Sequence, residues 1–186
     1  VKSTFEDFSK EAVERGITGA QAAAYLLKTN NITDVRIERV SGHLTDHYDP
    51  SHKVLRLSES VYGQSTVAAV GVAAHETGHA IQHATKYGPL VLRSTLVPVA
   101  NIGSAIGPTL AILGLVMSFG LLVDIGLLLF AGSVLFYLVT LPVEFNASRR
   151  AIEILGHSGT MSQEELKGVK KVLSAAAMTY VASAIS

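Results

Sequence analysis

From Ser94 to Val143 the chain carries one charged side chain, Asp124. Such a stretch has few ways to fold in water, because a soluble helix shows a charged face on one side. Crossing the hydrocarbon core of a bilayer takes ~20 apolar residues, so about fifty residues of this kind suit two crossings. We place them near 95–117 and 121–141, with Ser118-Phe119-Gly120 and Asp124 at the far turn. Pro98 and Pro108 are expected to kink the first crossing. Charged residues make up only 16% of the chain, against roughly 25% in a soluble domain. Mean hydropathy is +0.37. Both favour a membrane protein over a pair of helices buried in a globular core.

Charge placement sets the orientation. Lys86 and Arg93 precede the apolar stretch, Arg149 and Arg150 follow it, and the far turn has neither Lys nor Arg. The positive-inside tendency then puts both flanks at the cytoplasmic face of the cell membrane, in a multi-pass protein. A net charge of zero leaves no electrostatic footprint for nucleic acid. The chain has no Cys, which excludes a disulfide framework, a thiolate metal ligand and a cysteine nucleophile.

Around the apolar stretch the pattern is mainly helical with a small β-sheet, an α+β class. Ser3-Thr4-Phe5-Glu6, Thr18-Gly19-Ala20-Gln21 and Ser162-Gln163-Glu164-Glu165 have the capping-box spacing and open three helices. The second runs to about Lys28. Strands are expected from Asp34 to about Val40 and, half-buried, from Lys53 to Ser58, with a polar loop from Ser41 to His52 between them. A buried helix spans Thr66 to about Thr85, and another helix Phe145 to about Leu155. Ala175 to Ile185 is apolar and uncharged, and reads equally as the start of a further membrane segment or as a packed terminal helix. The expected division is 1–93, 94–143 and 144–186.

The buried helix contains His75-Glu76-Thr77-Gly78-His79, an HExxH motif. This composition yields that pattern about 0.014 times by chance, which gives the match weight. Residues four apart share a helix face, so both imidazoles can bind one zinc ion, and Glu76 can act as general base on water.

A catalytic zinc site takes three protein ligands and leaves one position open. His83 continues the series, but eight residues of helix rise ~12 Å and drift around the axis. With zinc–nitrogen bonds of ~2.0 Å, His75 and His83 cannot both reach one ion from a straight helix. Glu144, the first charge after the apolar stretch, could be returned to the HExxH helix by an antiparallel pair of crossings. It could equally be a Glu stabilised near a helix N-terminus, so both roles stay open on the residues alone.

HExxH, two apolar crossings and then Glu144-Phe145-Asn146-Ala147-Ser148 resemble the membrane zinc metallopeptidases of the HtpX and CAAX prenyl protease kind. Gly42–Pro50, Ala73–His83 and Leu141–Ala151 more closely resemble the YugP family of neutral zinc metallopeptidases, over nearly the whole chain. The resemblance implies a zincin-like metallopeptidase with a transmembrane helical hairpin between the HExxH helix and the helix carrying the third ligand. It implies His75, His79 and Glu144 as zinc ligands, Glu76 as base, and an apolar anchor before Val1. One position departs: the HtpX-type pattern has Asp where this chain has Ser148, so that Asp's role of orienting a ligand His is not transferred.

The reaction expected is peptide-bond hydrolysis of a peptide or membrane-protein substrate at the cytoplasmic membrane face. Oxyanion candidates are His43, His47, Tyr48, Arg149 and Arg150, none of which stands out. Residues 42–50 read either as an ordinary polar loop or as an edge strand that pairs with extended substrate. A non-catalytic membrane adaptor with a structural zinc site is the alternative, and an intact Glu76 speaks against it. A channel or transport component would need more polar groups in the crossings than Asn101, a few Ser and Thr, and Asp124.

Overall fold

The computed structural model describes residues 16–43, 45–158 and 161–185, with side chains described to Gly156 and again from Met161 to Ala175. The helix expected from Ser3 lies outside the described residues. The chain divides into two compact units: residues up to Lys86 with Glu144–Thr179, and Tyr87–Val143 with the end of the last helix.

In the first unit, α1 (Gly19–Thr29) opens on the expected capping box. Gln21 N donates to Thr18 Oγ1 at 3.1 Å, and Thr18 N donates to Gln21 Oε1 at 3.0 Å. Ala22, Ala23, Leu26 and Leu27 form its buried face. Three strands follow: β1 (Arg36–Val40), β2 (His47–Asp49) and β3 (Val54–Ser58). Their order is β1-β3-β2, with β1 parallel and β2 antiparallel to β3. The register sets Ile37 and Tyr48 beside Leu55. The strand expected to be half-buried is therefore the centre of the sheet. Val54, Leu55, Leu57 and Ser58 are all buried, because a central strand is covered on both faces. Ser58 N is satisfied by Asp46 Oδ1 at 2.7 Å. A short helix with no forewarning in the sequence, α2 (Glu59–Tyr62), follows β3 directly.

Helix α3 (Val67–Ala84) carries the HExxH motif. Thr66 caps it, accepting from Ala69 N at 3.1 Å. Its small residues let neighbours approach closely, so it is buried on nearly all sides against α1, the sheet and the last helix, α6 (Gln163–Ile185). The capping box of α6 also forms: Ser162 N donates to Glu165 Oε1 at 2.8 Å and Glu165 N to Ser162 Oγ at 3.2 Å. Leu26, Leu55, Leu57 and Leu155 are fully buried, each worth about 2 kcal/mol relative to exposure.

The second unit holds α4 (Gly88–Val116) and the first part of α5 (Gly120–Ser158), both long and apolar enough to cross a membrane. Met117-Ser118-Phe119 joins them. Ser118 takes the left-handed conformation, Phe119 N donates to Gly114 O at 2.8 Å and Ser118 N to Leu115 O at 3.3 Å, the Schellman way of closing a helix. The two helices touch through backbone: a Cβ at Gly103 would collide with Leu129 O, and one at Gly126 would meet Ala111 N at 2.5 Å. Helix α5 does not stop at Pro142 and restart at Phe145. It runs on through Glu144, so the side chains at 144, 148 and 151 follow one continuous helical phase.

Candidate metal centre

Gly78 decides how closely the motif helix meets α5. A Cβ there would lie 2.5 Å from Ala147 O and 3.0 Å from Ala147 C. Only a residue without a side chain lets the two backbones touch, and this contact brings residues 144–148 onto the histidine face of α3.

On that face the donors converge. His75 Nε2 lies 2.7 Å from Glu144 Oε2 and His79 Nε2 3.3 Å from Glu144 Oε1, one carboxylate oxygen to each ring. The imidazoles are 4.9 Å apart and nearly perpendicular, at 83°. His75, His79 and Glu144 are all buried. Their ligand atoms lie within 4.8 Å of one another, the only such group of three among the described residues. Two imidazoles and one carboxylate are a donor set that zinc takes in catalytic sites, with the fourth position open. Bonds of ~2.0–2.2 Å in tetrahedral array set donors roughly 3.3–3.6 Å apart; His79 and Glu144 stand at that spacing, and the 2.7 Å hydrogen bond of His75 to Glu144 would open to take the ion, so the donor set fits it.

Each histidine is held from behind. His75 Nδ1 lies 2.9 Å from Ser148 Oγ. His79 Nδ1 lies 2.9 Å from Gln82 Oε1, and Gln82 Nε2 donates to Asn146 Oδ1 at 3.0 Å. Metal-ligating histidines ordinarily give their second ring nitrogen to such a partner. Burial disfavours charge on His79, but hydrogen bonding to Glu144 and the nearby Glu76 and Glu144 carboxylates outweigh it, so its pKa is raised. Burial pushes the Glu76 carboxyl up, with His75 and His79 only partly offsetting it. A divalent cation at these donors would draw both values down.

His83 faces elsewhere, its Nδ1 2.8 Å from the hydroxyl of Tyr48. Burial raises the Tyr48 pKa to about 12, so the phenol keeps its proton at neutral pH. Tyr48 lies on β2, which forms one edge of the sheet, so 42–50 includes an edge strand as well as a loop. Of the other oxyanion candidates, His47 stacks its contacts on Thr45 O and Arg56, and Arg150 bonds Asn146 and Thr85. Arg149 lines a groove with Phe145 and Ser148. Gln82 and Asn146 were not legible as site residues. Gln82 lies one helical turn beyond His79, and that spacing is the one signal the sequence offered.

The chain belongs to the family described as "Putative neutral zinc metallopeptidase", whose model matches residues 1–186. It is 49% identical over 185 residues to "Putative membrane protease YugP" of Bacillus subtilis (strain 168), covering 100% of this chain and 82% of that protein. No solved structure matches it.

Proposed function

We propose that the chain is a membrane-embedded zinc endopeptidase, with His75, His79 and Glu144 as zinc ligands and Glu76 as general base. The observation that carries this reading is the convergence of the three donors on one buried spot, each oxygen of Glu144 turned to a different histidine. The family and the curated relative support the same activity. A zincin-like arrangement follows from it, with α3 packed against a sheet that ends in β2.

The helices α4 and α5 are read as a transmembrane hairpin. Ile112, Leu115 and Leu128 are 62%, 68% and 74% exposed, an apolar surface suited to lipid rather than water. Lys86, Arg93, Arg149 and Arg150 then set the site at the cytoplasmic face.

Zinc, when bound, lowers the pKa of a coordinated water and polarises the scissile carbonyl. The chain's own residues do the rest. Glu76 takes the proton from the attacking water and delivers it to the leaving amine. Ser148 and Gln82 hold the two imidazoles in place. The open edge of β2 receives extended substrate through backbone hydrogen bonds, which gives affinity with little sequence preference.

The test is casein hydrolysis by the purified full chain in detergent, with zinc content measured on the same samples. Wild type should cleave, lose activity to a chelator and regain it with zinc. Glu76→Gln should keep its zinc and lose activity by about 10²–10⁴-fold. A Glu76→Gln protein that cleaves at the wild-type rate would overturn the assignment.

A further inference from the structure

We propose that Arg150 fixes the tautomer of His79 through a relay of two amides, Asn146 and Gln82, and so acts as a positioning residue for the metal centre. The proposal rests on the ligand reading above and concerns Asn146 and Arg150, to which that reading gives no role.

A guanidinium only donates. Arg150 Nε lies 2.7 Å from the terminal group of Asn146, so the Asn146 atom facing it is the oxygen. That same oxygen lies 3.0 Å from Gln82, so Gln82 presents its NH₂ there. The other end of Gln82 is then its carbonyl oxygen, 2.9 Å from His79 Nδ1. An acceptor at Nδ1 keeps a proton on Nδ1, so Nε2, 3.3 Å from Glu144 Oε1, is the nitrogen left for a cation to take. An amide can turn over and a guanidinium cannot, so Arg150 fixes which end of Asn146 faces it, and Gln82 meets that end with its NH₂. Gln82 is fully buried and Asn146 is 8% exposed, so water cannot readily stand in for either partner.

The second ligand lacks this device. Ser148 faces His75 Nδ1 with a hydroxyl that donates or accepts equally well. Ser148 therefore accepts either state of His75 Nδ1, while Gln82 accepts only a protonated His79 Nδ1. The two halves of the site are thus prepared differently: one imidazole is preorganised and the other adjusts.

Arg150 also bonds Thr85 Oγ1 at 3.2 Å at the end of α3. A residue that merely pinned the two helices together would act through that contact as well, and the test must separate the two roles.

The measurement is zinc affinity of the intact protein in detergent, by competition with a coloured chelator, with thermal unfolding of the metal-free forms alongside. Arg150→Met and Asn146→Leu should each weaken zinc binding by about ten- to a hundred-fold. Asn146→Asp, which offers oxygens to both Arg150 and Gln82, should escape the roughly ten-fold or greater loss that follows removal of such a partner. Thr85→Ala, which removes the Arg150 contact and the hydroxyl's bonds to Ile81 O and Gln82 O but none of the side-chain relay, should leave affinity unchanged. If Asn146→Asp loses as much affinity as Asn146→Leu, or Thr85→Ala as much as Arg150→Met, the relay is wrong. The Asn146 pair decides the matter even if Arg150→Met does not fold. Wild type that binds no zinc would overturn the ligand reading itself, whereas zinc-binding wild type with unaffected Arg150→Met and Asn146→Leu would overturn the relay alone.

Discussion

Ser148 Oγ sits 2.9 Å from Nδ1 of His75, on the opposite side of the ring from Glu144, whose Oε2 is 2.7 Å from Nε2. The residue that departs from the HtpX-type pattern thus occupies the position from which the expected Asp would act. Ser148→Ala should weaken zinc binding by about ten-fold, the lower end of the range for such partners. Ser148→Asp should bind at least as tightly as wild type, since Ser148 borders a groove of about 590 Å³ with room for a larger side chain. Chelator competition reads both. An alanine variant with wild-type affinity would show that the hydroxyl does not hold the ring.

Two glycines of α3 should respond oppositely to one methyl group. At Gly78 it would lie 2.5 Å from a backbone oxygen of α5, so the helices must separate. Gly78→Ala should cost about 1–3 kcal/mol of stability and weaken zinc binding with it. At Gly71 the nearest atom is Val169 Cγ1 at 3.4 Å, an ordinary contact with a side chain. Gly71→Ala should be neutral or gain up to about 1 kcal/mol from helix propensity. Thermal unfolding of both variants checks the contrast, and equal losses would refute it.

Asp49 gives the sheet edge a pH dependence. Its carboxylate accepts from Ser51 Oγ at 2.7 Å and from Arg56 Nη1 at 2.9 Å, with His52 Nδ1 at 2.8 Å. These hydrogen bonds, that of Ser51 foremost, hold its pKa well below the usual carboxylate value. A depressed folded-state pKa means stability that is present above the unfolded value, near 4, and is lost as pH falls towards the folded one. Asp49→Asn should therefore melt lower than wild type at neutral pH, and the gap should close below about pH 4. Melting temperatures between pH 3 and 7 follow it. A gap that stays constant across that range would contradict the assignment.

Much of the frame was readable in the sequence because its signals are local. The boxes at Thr18–Gln21 and Ser162–Glu165 form as spaced, since each closes within one helical turn. The apolar run gives two long helices for the same reason. Glu144 could be nominated because it is the first charge beyond that run. What escaped is what depends on two helices meeting. Gln82 and Asn146 are neutral amides, separated by the entire apolar stretch, and only the touching backbones at Gly78 and Ala147 bring them together. Continuity of α5 past Pro142 escaped as well, since a proline there reads as a boundary in sequence. His83 was set apart by helix geometry alone, and its contact with Tyr48 depends on β2, a three-residue strand too short to announce itself.

The central claim is that one zinc ion is shared by the motif helix and by Glu144 on α5. Zinc bound per chain, measured on purified wild type, Glu76→Gln and Glu144→Ala after identical dialysis, tests it most directly. The account predicts about one ion per chain in the first two and near none in Glu144→Ala, since a site with two of its three protein ligands holds the metal poorly. Glu144→Ala that retains zinc as wild type does would put the third ligand elsewhere and contradict the account.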